Sequence, residues 1–167
     1  MDRFDKKILA ALQDDASPSL ATLAERVGLS PSPCWRRVQA LEAAGVIRKR
    51  VALLDRARLN VGVTAFVAVR TNQHNAQWYE RFAKAVEQVP EIVEFYRMSG
   101  EIDYLLRVVV PDIAAYDDVY KRLTSKIELF DVSSSFAMEE IKYTTAIPLD
   151  YLEPADRPPT TRARQRR

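Results

Sequence analysis

The sequence predicts an α+β protein in which three short helices precede strands and helices in the order βαββαβ. Two observations lead to this prediction. Within the first 50 residues, apolar side chains recur at helical spacing in three consecutive segments, which serine, proline and glycine separate. From Val61 onwards, β-branched and apolar runs alternate with two amphipathic helical segments. The order βαββαβ is typical of the ferredoxin-like arrangement.

Composition narrows the class of protein. The 167 residues are 47% hydrophobic, which is enough for a core. The apolar runs are far shorter than the ~20 residues that a membrane span needs, and the N-terminus has no secretory signal. A single cysteine and a single histidine exclude a disulfide framework and leave no structural zinc site. We therefore expect a soluble, cytoplasmic protein with no metal or other cofactor.

Charge is distributed unevenly along the chain. Residues 1–50 hold nine Lys and Arg against six Asp and Glu, a net charge of +3. Residues 51–152 hold eleven against fifteen, or −4, and residues 153–167 hold five against two, or +3. This asymmetry favours a nucleic-acid partner for the basic parts of the chain.

The pattern divides the chain into four parts. We assign residues 1–50 to a helical domain, 51–60 to a linking strand, 61–150 to a βαββαβ domain and 151–167 to a basic tail. Residues 153–167 hold three prolines, five arginines and no large apolar residue, so we expect disorder there.

The second and third predicted helices are joined by a short turn that contains glycine. Ser19 is placed to cap the second helix, and Gly28 stands where that helix should end. Pro31 and Pro33 fit the first turn of the third helix, where backbone N–H groups have no intrahelical partner. Ser30 or Ser32 can serve as its N-cap. Two short helices joined in this way are the helix-turn-helix pattern.

A 100° helical wheel separates the two faces of the third helix, predicted from about residue 32 to residue 44. Cys34, Val38 and Leu41 share the inward face, and Cys34 is interpreted as a small core residue. Arg36 and Gln39 lie on the opposite face, where arginine suits guanine and glutamine suits adenine. The alternative is that this charged face is merely solvated.

The flanks of the third helix and the segment after it complete a candidate DNA surface. We expect Arg37 to hold a phosphate, and Arg48, Lys49 and Arg50 to form a wing that meets phosphates. Trp35 is either partly buried packing or a DNA contact. The candidate DNA-binding residues are Ser30, Ser32, Pro33, Trp35, Arg36, Arg37, Gln39, Arg48 and Lys49.

The second half of the chain predicts strands, two helices and no catalytic apparatus. Residues 61–69 are apolar at consecutive positions and predict a strand buried on both faces. Apolar spacing predicts helices over 75–89 and 113–127, the second capped by Asp112. The serines at 133–135 have no nearby histidine in sequence, and "SGEI" is not a phosphate-binding glycine loop. We therefore expect no enzyme activity.

Three motifs carry a specific resemblance to a known family. The stretches "LATLAERVGLSPSPCWRRVQALEAAGVI", "SGEIDYLLRVVVPDIAAYDDVYKRL" and "EEIKYTTAIPL" resemble the leucine-responsive regulatory protein/AsnC family of transcription regulators. The resemblance spans residues 2–150. It implies a winged helix-turn-helix on double-stranded DNA and an ACT-like ferredoxin fold that dimerises and senses amino acids. It also implies assembly into larger rings, usually octamers.

The resemblance places an amino-acid effector at the "RMSGEIDY" turn. Backbone N–H groups around Ser99 and Gly100 suit its carboxylate, and the Asp103 carboxylate suits its ammonium group. The alternative is that Gly100 is only a turn residue and Asp103 only begins a strand. The candidate effector-binding residues are Met98, Ser99, Gly100, Asp103, Tyr104, Ser134 and Ser135. Leucine is the best-known effector of the family, although its members respond to many amino acids.

These observations predict a homo-oligomeric, nucleoid-associated regulator whose promoter occupancy responds to an amino acid. The alternative is an architectural DNA-binding protein or an amino-acid sensor without regulated switching. Two features depart from the family pattern. Trp35 is bulkier than expected on its helix, and the arginine-rich tail is either a solvated extension or a non-specific nucleic-acid contact.

Overall fold

A computed structural model describes residues 1–152 of the chain. Within that range the elements, in chain order, are α1 (Arg3–Asp14), α2 (Leu20–Val27), α3 (Pro31–Ala43), β1 (Val63–Arg70), α4 (Ala76–Glu87), β2 (Ile92–Arg97), β3 (Tyr104–Val110), α5 (Ile113–Thr124) and β4 (Asp131–Phe136). The predicted fold class is confirmed. The disorder predicted for the tail concerns residues 153–167, which lie outside the described range.

The chain forms two compact units. The N-terminal unit comprises residues 1–52 together with residues 142–152, and the sheet unit comprises residues 53–141. The sequence had instead placed residues up to 150 in the βαββαβ domain. The physical reason for the difference is the apolar burial of the last described residues against the three-helix core, described below.

Local capping signals set the helix ends in the N-terminal unit. Asp2 caps α1 by accepting hydrogen bonds from the backbone N–H groups of Phe4 and Asp5. Ser19 caps α2, and Gly28 ends it in the left-handed conformation, with φ +76°. Ser30 stands at the N-cap of α3 without a side-chain hydrogen bond, because prolines in the first turn reduce the number of donors there.

The three helices of the N-terminal unit bury one apolar cluster. Its members are Ile8, Leu9, Leu23, Ala24, Val27, Cys34, Val38 and Leu41. The inward face predicted for α3 is therefore confirmed. Cys34 is fully buried, and this burial raises the pKa of its thiol.

Residues 142–152, which we call the C-terminal strap, pack against the same cluster. Leu149 and Leu152 contact the core. The side-chain amide of Gln13 on α1 bonds the backbone of Ile147 twice: Nε2 donates to its carbonyl at 3.2 Å, and Oε1 accepts from its N–H at 2.8 Å. Lys6 Nζ lies 2.6 Å from an Asp150 carboxylate oxygen. The strap is thus held on α1 by apolar and polar contacts.

The predicted linking strand over 51–60 does not form, and residues 48–50, which were predicted to form a wing, contain no strand. Residues 49–55 have no regular structure, and residues 56–60 form turns in which Val61 N–H donates to the Arg56 carbonyl. A strand needs a neighbour to pair its backbone groups, and no described segment supplies one here. Large apolar side chains such as Leu53 and Leu54 remain exposed.

The sheet unit contains one antiparallel sheet in the order β2-β3-β1-β4. In its centre, Val67 lies opposite Leu106 on one side and Ser134 on the other. This order follows from two crossover helices, each of which returns the chain past a neighbouring strand to the same face.

Helices α4 and α5 cover one face of the sheet and bury its core. Trp78 and Phe82 of α4 are fully buried, with ring centroids 5.0 Å apart. The Tyr104 ring of β3 lies 5.2 Å from Phe82, edge to face. Asn75 caps α4, and Asp112 caps α5 as predicted.

The opposite face of the sheet carries no helix. We call it the open sheet face; it is formed by Phe66, Ala68, Glu94, Tyr96, Leu105, Arg107, Ser133 and Ser135. Phe66 is 41% exposed and Tyr96 is 50% exposed. The prediction that residues 61–69 are buried on both faces was therefore wrong for a single chain, because helices pack against one face alone.

Candidate functional site

The outward side of α3 presents a mixed polar and aromatic surface. Ser32, Trp35, Arg36 and Gln39 are all exposed there. Trp35 is 52% exposed, so the packing interpretation accounts for only half of this ring. The two positions that we predicted to read bases, Arg36 and Gln39, lie on the same surface as Trp35.

Cations near this surface lack internal counter-charges. Within residues 1–152, Arg36, Arg48 and Lys49 form no ion pair, and all three are exposed. A guanidinium or ammonium group in that state is available for a phosphate or a base edge. The arrangement therefore suits an anionic partner.

A polar network links α3 to the segment that follows it. Glu42 accepts a hydrogen bond from Gln39 Nε2 at 2.9 Å and one from Arg50 Nη2 at 2.9 Å. Trp35 and Arg48 line the same open groove as these three residues. Glu42 therefore orients the Gln39 amide, while Arg50 is held by an ion pair that Arg48 and Lys49 lack.

Arg37 points in a different direction. Its Nη1 lies 2.8 Å from an Asp2 carboxylate oxygen and 2.8 Å from an Asp5 carboxylate oxygen, and its guanidinium lies 5.5 Å from the Phe4 ring centre. The hydrogen bond with Asp5 raises the pKa of Arg37. This geometry favours a role in fixing α3 to α1 over the predicted phosphate contact.

Replacing Asp5 with asparagine tests whether Arg37 fixes α3 to α1 or contacts a phosphate. The change removes a charge-assisted contact from a half-buried ion pair, so we expect the N-terminal unit to lose about 1 kcal/mol of stability. The salt dependence of DNA binding should stay unchanged. Chemical denaturation and binding titrations at several salt concentrations measure these two quantities.

Asp14→Asn is the matched control, since Asp14 lies on the same helix and forms no ion pair within the described residues. It should leave stability unchanged. A phosphate-bound Arg37 would give a different result: Asp5→Asn would leave stability unchanged, and Arg37→Gln would lower the salt slope by about 0.9.

The remaining predicted DNA residues lie at the start of α3. Ser30 is its N-cap, and Pro33 is partly exposed in the first turn. All the predicted DNA residues are exposed or partly exposed, and among them Arg37 is set apart by its ion pairs with Asp2 and Asp5.

The predicted effector turn is a tight connection between β2 and β3. Gly100 has φ +109°, a conformation that side chains rarely adopt, and the space around its Cα is open. Met98 N–H donates to the Asp103 carbonyl at 2.8 Å, and Asp103 N–H donates to the Val69 carbonyl at 3.0 Å. These two bonds fix the base of the turn and leave residues 99–102 at its tip.

The Asp103 carboxylate faces the loop between β1 and α4. One oxygen accepts a hydrogen bond from Thr71 N–H at 2.8 Å. The other lies 3.8 Å from Nδ1 of His74. The side chain of Asp103 is 29% exposed, so it is ordered by these contacts and still accessible to a small cation.

The structure brings Met98, Ser99, Gly100 and Asp103 together but separates the other predicted effector residues from them. The Tyr104 ring is buried in the core, and burial raises the pKa of its hydroxyl. Ser134 and Ser135 lie on the far edge strand, two strand spacings of about 4.8 Å from β3. Ser134 bonds the hydroxyl of Tyr116 on the helix-covered face, whereas Ser135 lies on the open sheet face.

Sequence reasoning missed residues from the β1–α4 loop and from α4. Thr71 and His74 contact Asp103, and the half-exposed Tyr79 ring stacks 6.2 Å from Tyr104. The sequence offered one clue to this contact, namely that His74 is the single histidine of the chain. Its pairing with Asp103 depends on the register of β1 and β3.

Two negative findings apply to residues 1–152. No helix there has the length and apolar character needed to cross a membrane. The same residues contain no group of three or more His, Cys, Asp or Glu side chains placed to hold a metal ion.

Comparison with known proteins gives a consistent picture for both units. A winged helix-turn-helix DNA-binding model matches residues 1–48, and an Lrp/AsnC ligand-binding-domain model matches residues 64–147. The DNA-binding transcriptional activator DecR of Escherichia coli is 49% identical over 151 residues, which cover 90% of this chain and 99% of DecR.

Solved structures agree with this match. An AsnC family transcriptional regulator from Agrobacterium tumefaciens is 61% identical with a TM-score of 0.89, and the match covers 92% of this chain and all of that one. A Neisseria meningitidis regulator solved as an L-Met complex is 40% identical with a TM-score of 0.85, covering 90% and 97% of the two chains. These relatives are regulators and not enzymes. The chain is a member of the Lrp/AsnC family of DNA-binding transcriptional regulators with an amino-acid-binding domain.

Proposed function

We propose that this protein occupies specific DNA sites as a homo-oligomer and that a small amino acid, bound at the Met98–Asp103 turn, changes that occupancy. The observation that carries the proposal is the pairing of two surfaces in one chain. One is the outward side of α3 with the segment after it, where Arg36, Arg48 and Lys49 form no ion pair within residues 1–152, and the other is a turn with backbone donors and an ordered carboxylate.

The proposed reading of DNA uses the exposed side of α3. Arg36 would donate to guanine, and Gln39, oriented by Glu42, would bond adenine. Trp35 offers an apolar ring to a thymine methyl group. Arg48 and Lys49 would meet phosphates, which fixes register without reading sequence.

The proposed effector site uses opposite charges at the two ends of an amino acid. The Asp103 carboxylate would accept from the ammonium group, and N–H groups of the open Gly100 turn would donate to the carboxylate. The complex of the Neisseria relative with L-Met supports an amino acid of moderate size. Leucine, the effector named by family resemblance, has a side chain of similar volume.

Asp103→Asn tests this site. The asparagine keeps an oxygen that can accept from Thr71 N–H, so the turn should persist while the negative charge is lost. A charge-assisted hydrogen bond contributes about 1.5–3 kcal/mol, so amino-acid affinity should fall about 10- to 150-fold. Calorimetric titration with methionine and with leucine measures the change, and DNA affinity without amino acid should stay constant.

Glu101→Gln is the control in the same turn. The side chain of Glu101 is 92% exposed, and its one ion pair is a long surface contact, with 3.7 Å between a carboxylate oxygen and Nη2 of Arg70. Because such a pair contributes little, its loss should not change amino-acid affinity. Retention of full affinity in Asp103→Asn would place the effector elsewhere. If the native protein bound neither these nor any other amino acid, the architectural alternative would stand.

Self-association is proposed through the open sheet face. Its half-exposed aromatic rings, Phe66 and Tyr96, lie beside an ion pair in which Nη2 of Arg107 is 2.6 Å from a carboxylate oxygen of Glu94. A second copy of the same face would cover both rings and give a closed twofold dimer. Assembly of such dimers into an octamer, and a cytoplasmic, nucleoid-associated location, extend the same proposal.

An effector acts in this scheme through assembly. An amino acid shifts the equilibrium between oligomers only if it binds one of them better than the other. Light scattering with and without methionine or leucine, combined with genome-wide occupancy under the same two conditions, links binding to regulation. An unchanged mass and unchanged occupancy would remove the switching part of the proposal.

A further inference from the structure

We propose that Arg97 holds the carboxylate of the amino-acid effector, while Asp103 holds its ammonium group. The inference rests on the proposed function and deepens it, because it names a side-chain cation for the negative end of the ligand. It also narrows the class of ligand. The site should take free α-amino acids and reject their amides and esters, which carry the same side chain without the carboxylate charge.

Arg97 stands at the edge of the turn that holds Asp103. It is the last residue of β2, and its Cα lies opposite that of Tyr104 on β3. One step further along the same ladder, Met98 N–H donates to the Asp103 carbonyl at 2.8 Å. Arg97 and Asp103 are therefore near neighbours across the two strands of the hairpin, and backbone hydrogen bonds hold them there.

Arg97 is an unpaired cation in a unit where most cations have partners. The sheet unit, residues 53–141, holds ten Lys and Arg side chains. Six of them form ion pairs, and a seventh donates a hydrogen bond. The other three are exposed and have no such partner among residues 1–152: Arg81, Lys84 and Arg97. Of these three, Arg97 alone belongs to the hairpin that carries Gly100 and Asp103.

The charges of Arg97 and Asp103 act on one and the same group. Burial raises the pKa of the Tyr104 hydroxyl, the positive charge of Arg97 opposes this rise, and the negative charge of Asp103 adds to it. The half-exposed ring of Tyr79 on α4 stacks on the Tyr104 ring, with 6.2 Å between the ring centres. The hairpin and α4 thus place two opposite charges near an exposed aromatic ring, which offers apolar surface to an effector side chain.

This arrangement matches the two charged groups of an amino acid. An α-amino acid carries its ammonium and its carboxylate on one carbon atom, so it needs opposite charges that lie close together without neutralising each other. No ion pair joins Arg97 to Asp103 in the described part of the chain. The Asp103 carboxylate contacts Thr71 and His74 instead. Arginine donates two parallel N–H bonds to a carboxylate, and the backbone N–H groups around Gly100 would add further donors.

Arg97→Gln tests the inference when amino acids are compared with their amides. The ligands are methionine and leucine, each beside its α-amide, and calorimetric titration of the full chain measures the affinities. The native protein should bind each amino acid about 10- to 150-fold more tightly than its amide, because a charge-assisted hydrogen bond is lost with the carboxylate. The Arg97→Gln variant should lose most of this preference and keep its affinity for the amides.

Two controls separate this contact from general effects of charge. Arg81→Gln removes another unpaired arginine, which lies on α4 two positions and about 200° around the helix from Tyr79. This variant should keep the native preference for amino acids over amides. Asp103→Asn should keep that preference too, but it should bind leucine with less advantage over 4-methylpentanoate, which is leucine without its ammonium group.

The outcomes distinguish the inference from the proposed function. A preference for amino acids over amides that survives in Arg97→Gln, or that falls equally in Arg81→Gln, overturns the role of Arg97. The effector site itself still stands in that case if Asp103→Asn weakens amino-acid binding. Absence of amino-acid binding by the native protein refutes the effector site. Both arginine side chains are exposed, so circular dichroism should show native folding in both variants.

Discussion

Arg36→Ala is expected to weaken binding to a specific DNA site by about 5- to 150-fold while weakening binding to random DNA by much less. The reason is that a bidentate contact with guanine discriminates by about 1–3 kcal/mol against other bases. Arg36 is exposed on α3, and within residues 1–152 no carboxylate neutralises it. Competition titrations with the site and with a scrambled duplex measure the two losses.

Lys49→Ala provides the contrast for this experiment. Lys49 is exposed, lies beyond α3 and is proposed to contact phosphate, so its loss should weaken both duplexes equally and reduce the salt slope by about 0.9. If Arg36→Ala showed that same uniform loss, Arg36 would be a phosphate contact. Base reading would then fall to Gln39 and Trp35.

Phe66→Asp is expected to convert the assembled protein into monomers. Phe66 is 41% exposed in a single chain, in the middle of β1 on the open sheet face. Covering it with a second copy buries an aromatic ring, whereas an aspartate there would be a buried charge without a partner. An interface residue of this kind contributes at least about 2 kcal/mol, so the dimer should dissociate at least 30-fold more readily. Mass measured by light scattering over a dilution series tests this expectation.

The control places the same charge on the other side of the sheet unit. Ile113 is 57% exposed at the start of α5, so Ile113→Asp changes an apolar side chain that is more exposed than Phe66 and lies away from the open sheet face. It should leave the mass unchanged. Association that survived Phe66→Asp, or that was lost in both variants, would contradict self-association through this face.

Monomerisation should also weaken DNA binding. When two N-terminal units are linked in a dimer, binding of the first to one half-site holds the second at a high effective concentration near the neighbouring half-site. A monomer lacks this advantage. We therefore expect the Phe66→Asp variant to bind a specific DNA site with two half-sites at least 100-fold more weakly than the native protein does. A single half-site should be bound with equal affinity by both.

Features of this fold that depend on local sequence were predictable. Ser19 and Gly28 mark the ends of α2 because capping depends on the neighbouring turn alone. The buried side of α3 followed from helical geometry, and the proline pair marked its first turn. The family motifs added the proposed effector role of the Gly100 turn, which geometry alone leaves open.

Features that depend on distant residues were not predictable. The partners of Arg37 lie 32 or more residues away, and helix periodicity carries no information about them. Which of Ser134 and Ser135 faces the helices depends on the register of β4 against β1, since neighbouring strand positions point to opposite faces. The return of the strap to α1 likewise depends on contacts 134 or more residues apart.

The buried thiol of Cys34 has a practical consequence for measuring this protein. It is the single cysteine of the chain, it lies on the buried side of α3, and its burial raises its pKa. Reagents that need an accessible thiolate therefore react only when the N-terminal unit opens. The rate of alkylation at Cys34 reports the opening of that unit alone. Added DNA should slow the reaction by stabilising the closed form, so the alkylation rate of the native chain measures its occupancy by DNA.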